Sequence, residues 1–172
     1  AFALPGQHMV LMTGFLRNAD SEEEIAGVLA HELGHVVNRD AMRMTLQSQG
    51  YNIMLSLITG GGSSYSGMAQ VATLANILSY SREKETAADA FAAKILPKAG
   101  YSRRGLATFL EKMMATIDKD DVLQKLDSEL SFLSTHPATK ERISHLHFSD
   151  SAPSQNILNA DDMAILKNAC RP

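Results

Sequence analysis

Two histidines four residues apart, His31 and His35, bracket a glutamate in His31-Glu32-Leu33-Gly34-His35, and this stretch constrains the chain more than any other. On an α-helix, side chains at i and i+4 stand on one side with Cβ atoms about 5–6 Å apart. Both imidazoles can then reach a single ion at about 2.0–2.1 Å. Glu32 is turned about 100° around the axis from His31 and can flank that ion without ligating it. The flanking residues supply the helix. Ser21 followed by Glu24 is a capping box that starts it, and Ile25, Leu29, Leu33 and Val36 share a face roughly opposite the histidines. The pattern predicts one helix from residue 21 to about 49, packing with one side and chelating with the other.

This is the H-E-x-x-H pattern in which two histidines bind zinc and the glutamate takes a proton from a water activated by the ion. Two histidines do not complete such a site, because a catalytic zinc takes three protein ligands and leaves one position open. Ser81 to Asp89 offers the third. Glu85 and Asp89 are four apart on one helix face, and Ala87, Ala88 and Ala90 beside them are small enough for close approach to the first helix. Glu85 is the candidate ligand. Asp89 is placed to accept an N–H from a ligating histidine, which would fix that ring's tautomer and orientation. Glu83 points elsewhere, toward solvent.

The rest of the composition is consistent with this reading and removes others. With 172 residues, 45% of them hydrophobic, the chain can build one globular domain with a real core. A net charge of −3 with scattered Lys and Arg gives no footprint for nucleic acid. The single cysteine, Cys170, excludes an intramolecular disulfide framework and a cysteine-rich metal site. No apolar run reaches the 18 or so residues that span a bilayer. The chain opens in Ala1-Phe2-Ala3-Leu4 without a signal peptide, so the expectation is a segment of a longer protein, with any targeting region upstream.

In chain order, residues 1–16 read as a β-hairpin, with strand Phe2 to Leu4, turn Pro5-Gly6-Gln7-His8, and return Met9 to Met12. His8 reads as a solvated turn residue rather than a ligand. Residues 50–67 contain the breaker Gly60-Gly61-Gly62-Ser63-Ser64, either a flap over the site or a plain connector. A long helix is expected from Met68 to Leu96, ended by Pro97 and Gly100. Ser102 then caps a helix bearing Leu106, Phe109, Leu110, Met113 and Ile117. The Met113-Met114 pair reads as core filler. Asp118, Asp120 and Asp121 lack the spacing of a calcium loop. A further amphipathic helix is expected over 122–133, then Pro137 in the first turn of a helix ending near His147. A loop at Ser151 to Ser154 and a last helix, Ala160 to Asn168, close the chain. The fold class is mainly α with a small β element (α+β).

Four blocks in order make the chain resemble metallopeptidase family forty-eight, the group of the CAAX prenyl endopeptidase, HtpX and BepA. Ala1-Phe2-Ala3-Leu4-Pro5-Gly6 is similar to its N-A-F-A-L-P-G-G strand, with Gln7 in place of the second glycine. Ser21 to Asn38 resembles its H-E-x-x-H helix. Ser81 to Asp89 resembles its S-R-x-x-E-x-x-A-D block, and Thr135-His136-Pro137 with Arg142 its T-H-P block. The likeness runs to about residue 147 and leaves the tail 148–172 unmatched. It implies a gluzincin-like domain with zinc on His31, His35 and Glu85, a catalytic Glu32 and a supporting Asp89. It also implies that Phe2, Ala3 and Leu4 form an edge strand that pairs with an extended substrate. The short, glycine-broken interval between the two metal motifs resembles the soluble, extracytoplasmic branch, with membrane association left to regions outside this sequence.

The reaction so implied is hydrolysis of a polypeptide, with Glu32 as general base and acid and His136 as a partner for the oxyanion. His136 has a second functional reading, occupancy of the open zinc position that holds the site latent, and a third as a helix-capping residue. Arg142 is expected either to anchor a substrate carbonyl or to pair with an acid in the cleft. His145 and His147 read as surface residues. A different class stays open, a non-catalytic zinc module whose main work is chaperone-like partner binding. A tight four-ligand site including His136 would favour it, whereas Glu32 argues against it, because a purely structural site has no use for a carboxylate beside its ligand.

Overall fold

A computed structural model describes residues 1–58, 82–117, 136–148 and 157–168. Strand β1 (Phe2–Leu4) pairs antiparallel with β2 (His8–Val10), Ala3 opposite Met9. Gly6 and Gln7, at φ 87° and 66°, turn the chain between them. The hairpin is shorter than expected. Residues Thr13–Asn18 form helix α1 instead of a return strand, because Phe15 is buried edge-on against Phe109, ring centroids 5.3 Å apart. That tertiary contact outweighs local strand preference.

Helix α2 (Glu22–Val37) begins as the sequence predicts, with Ser21 Oγ accepting the Glu24 N–H. The return arm of the cap is shifted by one residue, since the Glu24 carboxylate accepts the Asp20 N–H. Lys112 seals this corner against Asp20 and Glu24. The expected division into a packing face and a chelating face does not hold. Leu33 is 40% exposed, whereas Ile25, Val28, Ala30, His31, Glu32 and His35 are buried. Two glycines explain this. A Cβ on Gly27 would meet the Leu106 backbone nitrogen at 2.5 Å, and one on Gly34 would meet the Ala88 Cα at 2.9 Å. The side carrying His31 is therefore the closely packed side.

The predicted continuous helix to residue 49 is two helices. Asn38 and Arg39 interrupt it, Arg39 in the left-handed region at φ 56°, and α3 (Asp40–Ile58) follows. Helix α4, residues 82–95, buries Ala88 and Ala92 but exposes Ala87 and Ala90, so only Ala88 provides the expected close approach. It tightens into a 3-10 turn, Leu96–Ala99, and stops at left-handed Gly100, as Pro97 and Gly100 predict. Ser102 Oγ accepts the Arg104 N–H at the start of α5 (Arg104–Ile117), whose Leu106, Phe109, Leu110 and Met113 form the core against α2.

Helix α6 (Lys140–Phe148) starts three residues after Pro137, not on it, because Thr139 is its cap through the Arg142 N–H. Ile143 and Leu146 pack it on the core, and His145 and His147 are exposed as expected. The last helix, α7 (Ala160–Asn168), has the predicted bounds and lies against α1. The Glu22 carboxylate accepts the N–H groups of Ile157 and Leu158 just before it, at 2.7 and 2.6 Å. The glycine run at 60–64, the acidic cluster at 118–121, the helix expected over 122–133 and the loop at 151–154 lie outside the described residues. No described helix is long and apolar enough to cross a membrane.

Candidate metal centre

Three elements converge on one buried point. Helix α2 brings His31 and His35, α4 brings Glu85, and the residues before α6 bring His136. Spacing dictates the first part, since residues four apart on α2 must point the same way. The two Nε2 atoms come within 3.1 Å of each other. Glu85 places one oxygen 3.2 Å from His31 Nε2 and the other 3.2 Å from His35 Nε2. His136 Nδ1 lies 3.0 Å from Glu85 Oε1 and 3.3 Å from His31 Nε2.

Each imidazole on α2 is oriented from behind. His31 Nδ1 meets Asp89 Oδ1 at 2.8 Å, as the sequence predicts, and His35 Nδ1 meets Asp40 Oδ2 at 2.8 Å, which it does not. With each Nδ1–H donated to a carboxylate, both Nε2 lone pairs face the same point. Asp40 was missed because it reaches His35 only across the break at Arg39. Lys84, one residue before Glu85, adds a long bond to the Asp40 carbonyl at 3.5 Å.

Lone pairs and a carboxylate aimed at one point repel unless a cation lies between them. A proton can serve as that cation. Burial opposes charge on His31, but its bonds to Asp89 and Glu85 override this and raise its pKa to about 9. Burial also opposes ionisation of Glu85, and here the bonds from His136, His31 and His35 prevail and hold its pKa below the usual carboxylate range. His136 behaves oppositely, because burial pulls its pKa down and keeps it neutral. A metal fits the same geometry. Four donors about 2.0–2.1 Å from a common centre, arranged tetrahedrally, stand about 3.3–3.4 Å apart, close to the contacts of 3.0–3.3 Å found here.

Glu32 is fully buried beside this cluster, and neither of its oxygens makes a hydrogen bond. His136 Nε2 stands 3.2 Å from its Oε1. A buried carboxylate without a hydrogen bond is costly, and this one stands next to four converging donors. Arg142 is turned inward onto the acids: Nε and Nη2 hold Asp89 at 2.6 and 2.8 Å, and Nη1 stands 2.8 Å from Glu85 Oε2. This is the pairing with acids, one of the two roles expected of Arg142. Strand β1 packs on α2, with Phe2 and Ala3 half-buried and Leu4 exposed. Its outer edge carries no partner among the described residues.

The model of peptidase family M48 matches residues 1–149. The chain belongs to peptidase family M48. Among M48 proteins it is 30% identical over 155 residues to the β-barrel assembly-enhancing protease of Escherichia coli O157:H7, matching 83% of this chain to 30% of that one. To the mitochondrial metalloendopeptidase OMA1 of Arabidopsis thaliana it is 32% identical over 144 residues, 83% of this chain and 27% of the other. A protease HtpX homolog of Desulfatibacillum aliphaticivorans is 31% identical, matching 93% and 64%. The chain thus spans less than a third of the length of the first two M48 relatives.

Proposed function

We propose that this M48 domain is a zinc-dependent endopeptidase acting on polypeptides, with one zinc ion per chain held by His31, His35 and Glu85. The observation that carries this is the buried Glu32 carboxylate, without a hydrogen bond and with His136 Nε2 3.2 Å away as an ion-pair neighbour, beside a converging His-His-Glu set. When bound, zinc supplies Lewis acidity that brings the pKa of a water down to about 7. Glu32 takes a proton from the attacking water and returns it to the leaving amine. Asp89 and Asp40 hold the imidazoles still, so that no reorganisation is needed during the reaction. The free edge of Phe2, Ala3 and Leu4 pairs with an extended substrate through main-chain hydrogen bonds. The proposal extends to a place in protein quality control, in an extracytoplasmic or membrane-associated setting, and the likeness to a β-barrel assembly-enhancing protease supports it.

One observation favours a second reading, a latent centre. His136 Nδ1 stands at the donor cluster while its Nε2 faces Glu32. A neutral imidazole in that pose closes the fourth position and occupies the base, and its N–H is available to an oxyanion only after it moves. The assignment is tested by casein cleavage with wild type and Glu32→Gln, zinc content being measured in both. The expected result is equal zinc and a loss of about 10²–10⁴-fold in activity. Equal activity would sink the catalytic assignment.

A further inference from the structure

The same guanidinium that clamps the metal-bearing helix also holds the backbone next to His136. Arg142 Nε and Nη2 grip Asp89, and Nη1 donates to the Pro137 carbonyl at 2.7 Å while standing 2.8 Å from Glu85 Oε2. Asp89 orients His31, Glu85 is a donor of the cluster, and Pro137 directly follows His136. The side chain is 9% exposed, and its own backbone N–H is fixed by the Thr139 hydroxyl. We infer that Arg142 is a positioning residue for His136, setting that imidazole between the donor cluster and Glu32.

Residues 137–139 are half-buried and belong to no helix or strand, so their backbone needs an external anchor. A planar fork can bind a carboxylate along one edge and a carbonyl from its remaining nitrogen, which a point charge on a flexible stem cannot do. The consequence is mechanical. His136 has its two nitrogens 3.0 Å from Glu85 and 3.2 Å from Glu32, so a slip of about 1 Å in the loop changes which one it serves, a displacement worth up to about 10²-fold in rate. If Arg142 merely neutralised Asp89 and Glu85, lysine would replace it.

The experiment adds cobalt(II) to the metal-free full chain and compares wild type, Arg142→Lys, His136→Ala and the double variant. Folding is checked by circular dichroism, and Arg142→Gln is read in the same way should the lysine variant not fold. Arg142→Lys is expected to change the visible cobalt spectrum in the same sense as His136→Ala, with no further change in the double variant. On a peptide substrate it is expected to change kcat at least tenfold in the same direction as His136→Ala, with KM little altered, and to add nothing in the His136→Ala background. A wild-type cobalt spectrum in Arg142→Lys, or effects that multiply in the double variant, would overturn the inference. The meaning for catalysis rests on the peptidase reading, but the spectrum does not. Cobalt shifts without any peptide cleavage would leave Arg142 in its role and remove the peptidase.

Discussion

His35 and Asp40 face each other across the break between α2 and α3, Nδ1 to Oδ2 at 2.8 Å. Asp40 does for His35 what Asp89 does for His31, so the two imidazoles are braced by buried carboxylates from two different helices. The contact requires Arg39 to adopt φ 56°, which costs about 1–2 kcal/mol for a residue with a Cβ. The strain persists because the turn returns Asp40 to the site.

Asp40→Ala is therefore expected to weaken zinc binding about 10–100-fold, read by chelator competition. Asp40→Asn, which keeps an acceptor oxygen, should lose less. Wild-type affinity in the alanine variant would show that Asp40 orients nothing.

The metal-free protein should have a distinctive pH profile. His31 has a folded pKa of about 9 against an ordinary 6.5, the bonds from Asp89 and Glu85 overriding burial. Its contribution is complete below pH 6.5 and is lost as pH rises through 9, on the order of 3 kcal/mol at most. Glu85 and Asp89 are lowered, against burial, by the partners that hold them, so their contributions are lost instead in acid. The urea midpoint of the chelated protein should fall between pH 6 and pH 9.5. Zinc should reverse the trend, since it competes with the proton on His31. A flat midpoint in the chelated protein would contradict the pairing.

Gly34→Ala should destabilise the protein by about 1–3 kcal/mol and weaken zinc binding with it. The added methyl would press on the Ala88 backbone and push α2, with His31 and His35, away from α4, with Glu85. Gly50→Ala is the control, because nothing lies within 4 Å of its Cβ position. It should be neutral or stabilising by up to about 1 kcal/mol. Equal melting temperatures for the two variants would rule out the close approach as a determinant.

His136→Ala separates the two functional poses of that residue. A rise in peptide hydrolysis identifies it as a brake, and a fall identifies an oxyanion donor. Unchanged activity and unchanged zinc affinity would leave it with a structural task alone.

Helical periodicity makes much of the site legible in the sequence. His31 with His35, and Glu85 with Asp89, are spaced for one helix face, and the face they share is where the structure brings them together. Asp40 was illegible because its partnership depends on a left-handed arginine, and nothing in the residue type announces that conformation. The outward turn of Leu33 was hidden for a related reason. Gly27 and Gly34 read locally as weak helix formers, yet they decide which side of α2 meets α4 and α5. Helix α1 in place of a longer strand needed Phe109, ninety-odd positions away, to explain it. Local signals placed caps and stops well, at Ser21, Gly100 and Ser102, while Pro137 misled because Thr139 offered a better cap.

Glu22 bears on how the domain can be cut. Its carboxylate is 7% exposed and takes two consecutive main-chain N–H groups from Ile157 and Leu158, beyond the stretch matched to the family. Met163 and Leu166 follow on the same segment and cover part of the core. A version trimmed at residue 149 would leave that carboxylate without its donors and bare an apolar patch around α1. Such a trimmed version would carry every residue of the metal centre and still be a poor reagent, prone to aggregate before its chemistry could be measured.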